Sequence, residues 1–549
     1  MVRHVTSPAS STLTLRLFDP GMSILHRAGL GGLACALHYI ERAYRDGVLL
    51  DKDVPGGPWP GGQPPWKIEP LQITLDFGGP RKAREFLKRL FALAFDRRDD
   101  LIFLPAQYPR TAPDMAVRAE VQLGLVLTFL QHGKVRKLAK AETTFTNDIG
   151  GKPVTVSYKK CSGYKHQEGW KELSSEDGCL SDGPLEVSGP LNPGAVVRHV
   201  AFTGDTRIEE QPGHVLALHF SLIGCLALPI NRGTGALIVP EVTDLLDFSR
   251  LRPHMTPQQH RDCQVGSASD AALQAQVRLL AARTVTFHDL PGCFAATFRP
   301  TPWASQQKSR VQALYVPRRD EKTLRQFETA LAVLPPRLVS GKTAKPGARG
   351  KGEQAPEKAE WFWADSIVRP LVADNLAQGR RWYEGFVKLM REVNPASRRP
   401  FRDDLFFEKE GLQAMTEKTE WQDRGESTLV KAVQEALGRR YAQIADETKK
   451  IPAARKNRWK GEYERWRLAF VGAKTPDQFR GALCDLLSRG GMNKALQEEW
   501  PELLPMLHQS RWSLARDLAL LALASYKGKG AQDVQPDAGE TASATESDQ

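Results

Sequence analysis

The sequence predicts an α+β protein: a mixed, strand-rich N-terminal body followed by an all-α C-terminal helical bundle. Three observations predict it. Residues 13–18, LTLRLF, alternate with the period of a half-buried strand and run straight into a helical pattern. From about residue 140 to 320, Val, Thr and Phe alternate between Gly and Pro punctuation, the texture of strands. Beyond residues 340–360, SGKTAKPGARGKGEQAPEKAE, the apolar spacing turns helical and stays so to about Lys527. That stretch holds no large apolar residue and reads as a flexible basic linker. The expected organisation is a body over 1–340, the linker over 341–360, the bundle over 361–527 and a disordered acidic tail over 528–549.

Along the body, Asp19 is the expected N-cap of the first helix and Pro20 its first residue. Leu25, Leu30, Leu33, Leu37 and Ile40 then share one side, with His26 among them and so predicted buried. Arg27, His38 and Arg42 gather on the opposite side. Gly29 and Gly32 share an edge, where they would let another backbone come close. The segment DKDVPGGPWPGGQPPW is a long surface loop, either functional or covering a small satellite core with Trp59 and Trp66. A strand LQITLDF precedes a helix opening at Pro80, with Phe86, Leu87, Leu90, Phe91 and Ala94 as its core stripe. Arg81, Lys82, Arg84, Lys88 and Arg89 make that helix strongly basic. KPVTVSYKK, GAVVRHVAF, GALIVPEV and CFAATFRP read as strands. So does the apolar run HVLALHFSLIGCLALPI, which is too short for a membrane span and carries His214 and His219. In the bundle, Thr475, Pro476 and Gln478 form a capping box ahead of Phe479, Leu483, Leu486 and Leu487, and RGG closes that helix.

Composition narrows the function. The chain of 549 residues exceeds one ordinary core, and its 41% hydrophobic and 26% charged residues are those of a soluble globular protein. Seventy-six Lys and Arg against 64 Asp and Glu leave +12, which points to an anionic partner, nucleic acid first and an acidic protein second. Seven scattered cysteines without a CxxC pair argue for a reducing compartment and against a disulfide framework. Cys161, His166 and Cys179 lack a fourth zinc ligand, so no metal site is expected there. The start MVRHVTSPASS has no apolar signal region, and a cytoplasmic location is expected.

Enzyme signatures are missing: no P-loop, HExxH, nucleophile elbow or GxGxxG opens a helix. Asp403 and Asp404 are adjacent and diverge on any regular element. No catalytic residue or cofactor is expected, and a metal-dependent nuclease or polymerase-like enzyme is the rival reading. What recurs instead is basic residues mixed with aromatics and amides. In PTPWASQQKSRVQALYVPRR, strand geometry puts Gln306, Lys308 and Arg310 on one side, a row suited to a sugar-phosphate backbone. GPLNPGAVVRHVAF places Arg198 and His199 mid-strand. In IPAARKNRWKGEYERWRLAF, Trp459, Tyr463, Trp466 and Phe470 line one helix face as bundle core. Arg455, Arg458, Lys460 and Arg467 surround that stripe as a solvated or a phosphate-binding face.

LRLFDPGMSILHRAGLGGLACAL, GPLNPGAVVRHVAF, ALIVPEVTDLLDF and PTPWASQQKSR together resemble the large subunit of a type I CRISPR Cascade effector. The nearest branch is the Myxan subtype, which includes the fruiting-body developmental protein T. The resemblance runs along most of residues 10–320 and into the helical region. It implies a non-catalytic subunit at the 5′ handle of the CRISPR guide RNA that inspects the protospacer-adjacent motif in double-stranded target DNA and helps form the R-loop. Its implied partners are the Cascade backbone and handle-binding subunits and a helicase–nuclease, or a transposition adaptor if the system serves a CRISPR-associated transposon. The C-terminal part would resemble the small subunit, and an internal start at Met390 or Met415 would produce that subunit separately. Arg27, Arg198, His199, Gln306, Lys308, Arg310, Arg455 and Arg458 are the expected nucleic-acid contacts, Arg27 being presented toward RNA or a neighbouring subunit.

Overall fold

The computed structural model describes residues 11–193, 208–231, 233–282, 286, 290–301, 304–341, 360–393, 400–449 and 452–528, giving backbone alone for 300–301, 304–311, 341, 360 and 452–453. The predicted strand GAVVRHVAF, most of the linker and nearly all of the tail lie outside these residues. The chain divides into two units, one up to Asp320 and one from Glu321.

In the first unit, β1 (Thr12–Arg16) is the predicted opening strand. The next element, α1 (Ile24–Arg45), starts later than Pro20. Gly21 has φ +90°, which no helix accommodates, so Asp19 holds a turn, accepting from Met22 N–H on its carbonyl. Ser23 is the N-cap; its Oγ accepts from His26 N–H (3.4 Å), and the His26 ring accepts from Ser23 N–H (3.3 Å). Leu30, Leu33, Leu37, Ile40 and His26 are buried, as the wheel requires.

The Pro-Gly loop covers a satellite core. Trp59 and Trp66 are both buried, edge to face at 5.0 Å, their N–H groups donating to Pro55 O and Glu41 Oε1. β2 (Trp66–Glu69) and β3 (Gln72–Asp76) complete a three-stranded antiparallel sheet in the order β1-β3-β2. α2 (Ala83–Ala94) buries the predicted stripe. The hairpin of β4 (Asp96–Arg98) and β5 (Leu101–Phe103) turns through Asp99 and Asp100 at positive φ. α3 (Met115–Leu127) is capped by Asp114, which accepts from Val117 N–H at 2.9 Å. β6 (Arg136–Leu138) pairs with β9 (Cys161–Tyr164), and between them β7 (Thr143–Ile149) and β8 (Lys152–Tyr158) form a hairpin turned by Gly150 and Gly151. α4 (Trp170–Leu173) is one turn long, and β10 (Leu185–Glu186) pairs with β11 (Glu209–Glu210).

The apolar run read as a strand is instead α5 (Pro212–Gly224) followed by β12 (Leu226–Pro229). Nearly every residue of α5 is buried, so it is apolar all round and has no stripe to betray its period. β12 joins β13 (Gly235–Pro240), β14 (Cys293–Thr301) and β15 (Ala304–Val316) in an antiparallel sheet of that order. Between those strands run α6 (Leu245–Met255) and α7 (Ala268–Ala281), so residues 140–320 are far less strand-rich than their texture suggests.

α1 and α5 cross with backbones in contact, and glycine is what permits it. A Cβ on Gly29 would stand 1.9 Å from Ala217 O, and one on Gly32 2.2 Å from Phe220 O. Arg252 of α6, fully buried, donates to Gly224 O (2.9 Å) and Cys225 O (2.5 Å), satisfying carbonyls at the end of α5.

The second unit begins ahead of the expected linker, because α8 (Glu321–Val333) packs Leu324, Phe327 and Ala330 against helices from later in the chain. β16 (Arg337–Gly341) and β17 (Glu360–Ala364) pair antiparallel, so this unit is not wholly helical. Then come α9 (Arg369–Ala377), α10 (Val387–Arg391), α11 (Phe401–Leu405), α12 (Lys409–Lys418), α13 (Arg424–Glu447), α14 (Pro452–Gly472), α15 (Pro476–Gly490), α16 (Lys494–Leu503) and α17 (Trp512–Ser525). α13 is the spine against which α14 to α17 pack. Thr475 caps α15 as predicted, accepting from Gln478 N–H; Gln478 Oε1 reaches back to Lys474 N–H, and Gly491 ends the helix at φ +74°. The architecture is α+β, and no helix among the described residues is long and apolar enough to cross a membrane.

Candidate nucleic-acid interface

On the polar face of α1, Arg27 has a buried nitrogen without a hydrogen-bond partner. Arg42 Nη2 donates to Pro109 O (2.8 Å) and His38 Nδ1 meets Ser249 Oγ (2.7 Å), so the face predicted to point outward is largely tied inward. Arg27 is half-buried, its Nε lacks a hydrogen-bond partner, and its guanidinium stands 5.5 Å from the ring of exposed Phe18. The β1–α1 junction therefore presents a stacked cation at the surface.

Lys308 and Arg310 lie on β15, an edge strand of its sheet among the described residues, opposite Pro300 and Phe298. Gln306 is on the same strand inside a register shift, and a second shift comes after Arg310. Just beyond, Phe294 and Tyr315 pair across β14 and β15, ring centroids 5.1 Å apart and both more than a third exposed. Tyr315 donates to Glu241 Oε2 (2.8 Å), which orients the ring. This exposed aromatic pair, next to a basic strand, was missed in the sequence because alternation alone cannot tell which face is covered. Arg198 and His199 lie outside the described residues.

A second basic–aromatic cluster forms where α2 meets α4. Arg84, Lys88 and Lys171 surround the half-buried Trp170 indole at 4.9, 6.0 and 5.7 Å from its centroid. Arg84 is fixed by Ser174 O, Ser175 O and Glu176, Lys171 pairs with Glu168, and Lys88 is exposed. The basic helix was legible; its convergence on Trp170 required the fold.

On α14 the aromatic stripe is core, with Trp459, Trp466 and Phe470 buried. Its arginines are largely structural. Arg458 pairs with Glu447 (2.5 Å) on α13, Arg455 reaches Thr448 Oγ1 (3.4 Å), and buried Arg467 donates to Met390 O (3.0 Å). Arg455 and Arg458 thus tie α14 to the C-terminal end of α13, while Arg458 stays nearly half exposed.

Burial favours the neutral form of the His166 and His219 imidazoles in the first unit. Burial pushes His166 down to about 3 and His219 well below the usual histidine range; their rings stand 5.7 Å apart, His166 also 5.6 Å from Phe95. Cys161, His166 and Cys179 are not gathered within metal-ligand reach. Asp403 pairs with Arg402 (3.6 Å).

Comparison with known proteins bears on both units. Residues 14–219 match the DevT N-terminal domain and residues 417–549 the DevT C-terminal domain. CRISPR-associated protein Cas8a1/Csx13 of Myxococcus xanthus (strain DK1622) is 37% identical over 553 residues, covering 97% of this chain and 92% of that protein. An identity of that level over nearly the full length, with both domain matches in order, means that the chain belongs to the Cas8a1/Csx13 family of CRISPR-associated proteins, the Myxan-subtype large subunits.

Proposed function

We propose that this chain is the non-catalytic large subunit of a CRISPR RNA-guided surveillance complex, Cascade, in antiviral defence. The 37% identity across 97% of the chain carries the reading, because it spans both units rather than one module. In this role the chain contacts the guide RNA 5′ handle, reads the protospacer-adjacent motif in duplex DNA, helps open an R-loop and recruits a helicase–nuclease. Guide pairing reads the sequence while protein reads a short motif and the backbone. The edge strand with Lys308 and Arg310, the Trp170 cluster and the stacked Arg27 are the surfaces proposed for phosphate contact. A net charge of +12 agrees with them.

The C-terminal unit is proposed to double as a small subunit. Its DevT C-terminal match begins at residue 417, just after Met415, which favours Met415 over Met390 as the internal start.

Co-expression with the neighbouring genes, then tag purification and sequencing of bound RNA, tests this. The expected result is uniform repeat-derived guides with a backbone subunit. Recovery of neither RNA nor partners would remove the Cascade role and bring the enzyme reading forward.

A further inference from the structure

The glycine-lined crossing of α1 and α5 sets the first turns of the two helices side by side. His26 is the third residue of α1 and His214 the third residue of α5, and Glu210 on β11 lies just ahead of α5. Glu210 sits between the two imidazoles. Its Oε1 is 3.9 Å from His26 Nε2 and its Oε2 is 3.1 Å from His214 Nδ1. The rings stand 5.4 Å apart at 65°, and one ligand atom from each of the three residues lies within 4.8 Å of the others. His26 Nε2 is buried without a hydrogen-bond partner, although it is aimed at this carboxylate and its side chain is only 7% exposed. Gly21, at φ +90°, lets the chain pass against the His214 ring, where a Cβ would be 3.2 Å from Cε1.

We propose that His26 Nε2, His214 Nδ1 and a Glu210 carboxylate oxygen bind a zinc ion. Two imidazoles and one carboxylate are a donor set that zinc takes in tetrahedral geometry with bonds of about 2.0–2.1 Å. Tetrahedral geometry at that bond length puts neighbouring donors about 3.3 Å apart. The 3.1 Å from Oε2 to His214 Nδ1 is already near that value, while the 3.9 Å to His26 Nε2 is measured from the other oxygen, so the side chains must turn for one oxygen to face both nitrogens.

The surroundings suit the ion. Ser23 Oγ, 2.7 Å from His26 Nδ1, can accept a hydrogen bond from a protonated Nδ1, the tautomer that leaves Nε2 bare for the metal. That tautomer gives up the longer 3.3 Å contact from Ser23 N–H. The two helix N-termini disfavour a cation, and the Glu210 charge offsets them. Glu210 and His214 reach solvent, which supplies an entry path and leaves a fourth position for water or a partner's donor. The ion would tie α1, α5 and β11 at their junction, so its binding stabilises the first unit. The inference stands on this geometry and not on the Cascade reading.

The test uses the full chain stripped of metal with a chelator, then titrated with zinc by calorimetry and with cobalt(II) by visible absorption. One equivalent is expected, with a rise in thermal midpoint. His214→Ala and Glu210→Gln should each lower affinity about tenfold or more, while Glu209→Gln, on the exposed neighbour, should not. His214 and Glu210 are only partly buried, so both variants should fold, which near-ultraviolet circular dichroism checks. Failure of the stripped protein to take up one equivalent would overturn the proposal. Uptake by both variants with the affinity of the parent chain would overturn it too, leaving a plain His–Glu contact.

Discussion

Gly29 and Gly224 face backbone across the α1–α5 crossing, where any side chain would meet a carbonyl. A Cβ on Gly224 would stand 1.8 Å from Ala28 O. Gly29→Val is therefore expected to destabilise the protein by about 3 kcal/mol, read from denaturant unfolding. Gly461, mid-helix in α14 with nothing near its Cβ position, behaves oppositely: Gly461→Ala should gain up to about 1 kcal/mol. The two histidines His166 and His219 give a pH signature. Both are depressed in the folded state, His166 to about 3, while the unfolded chain takes up a proton near 6.5. Stability is full above about pH 6.5 and falls as pH drops below it, by up to about 1.4 kcal/mol per pH unit for each histidine. Unfolding monitored from pH 7 to 5 checks this, and His166→Gln should flatten the slope. At this scale the sequence spoke clearly where one residue type has one use. The paired Gly29 and Gly32 edge announced a close approach, and the wheel put His26 inside. It was silent on His214 and Glu210, because their meeting with His26 depends on how two distant segments cross.

Elements of one composition part company once packing is known. Lys308 and Arg310 sit on an edge strand, whereas Arg455 and Arg458 are engaged between α13 and α14. Replacing Lys308 and Arg310 by Ala together should reduce the salt slope of DNA binding by about two. Arg458→Ala should leave that binding unchanged and cost at most about 1 kcal/mol, since the Arg458–Glu447 pair is nearly half exposed. Salt-dependent binding isotherms separate the two. The α14 stripe was legible as bundle core because its apolar side is narrow. α5 was not, since a helix buried on every side has the same unbroken apolar run as a buried strand. The proposed internal start makes a prediction at this scale. Asp517 of α17 accepts from Gly385 N–H (2.7 Å) and Val387 N–H (3.1 Å), and burial pushes its carboxyl up. A fragment from Met415, like one from Met390, lacks both donors, so it is expected to be less stable alone than the same segment of the full chain, and intact mass of the purified complex checks whether it is made.

For the molecule as a whole, the α+β class and the change of texture toward a helical C-terminal region were readable from periodicity. The boundary was not, because α8 precedes the basic stretch yet packs with the helices beyond that stretch. Family membership spans both units, and the proposed role of the chain is to supply motif reading to an RNA-guided complex. The most direct measurement is selection of a duplex library, randomised beside a guide-matched target, by the complex assembled with and without this chain. Tight binding and a short enriched motif are expected only when the chain is present, both weakened by the Lys308 and Arg310 double substitution. Equal binding and the same motif from the complex lacking the chain would contradict that role.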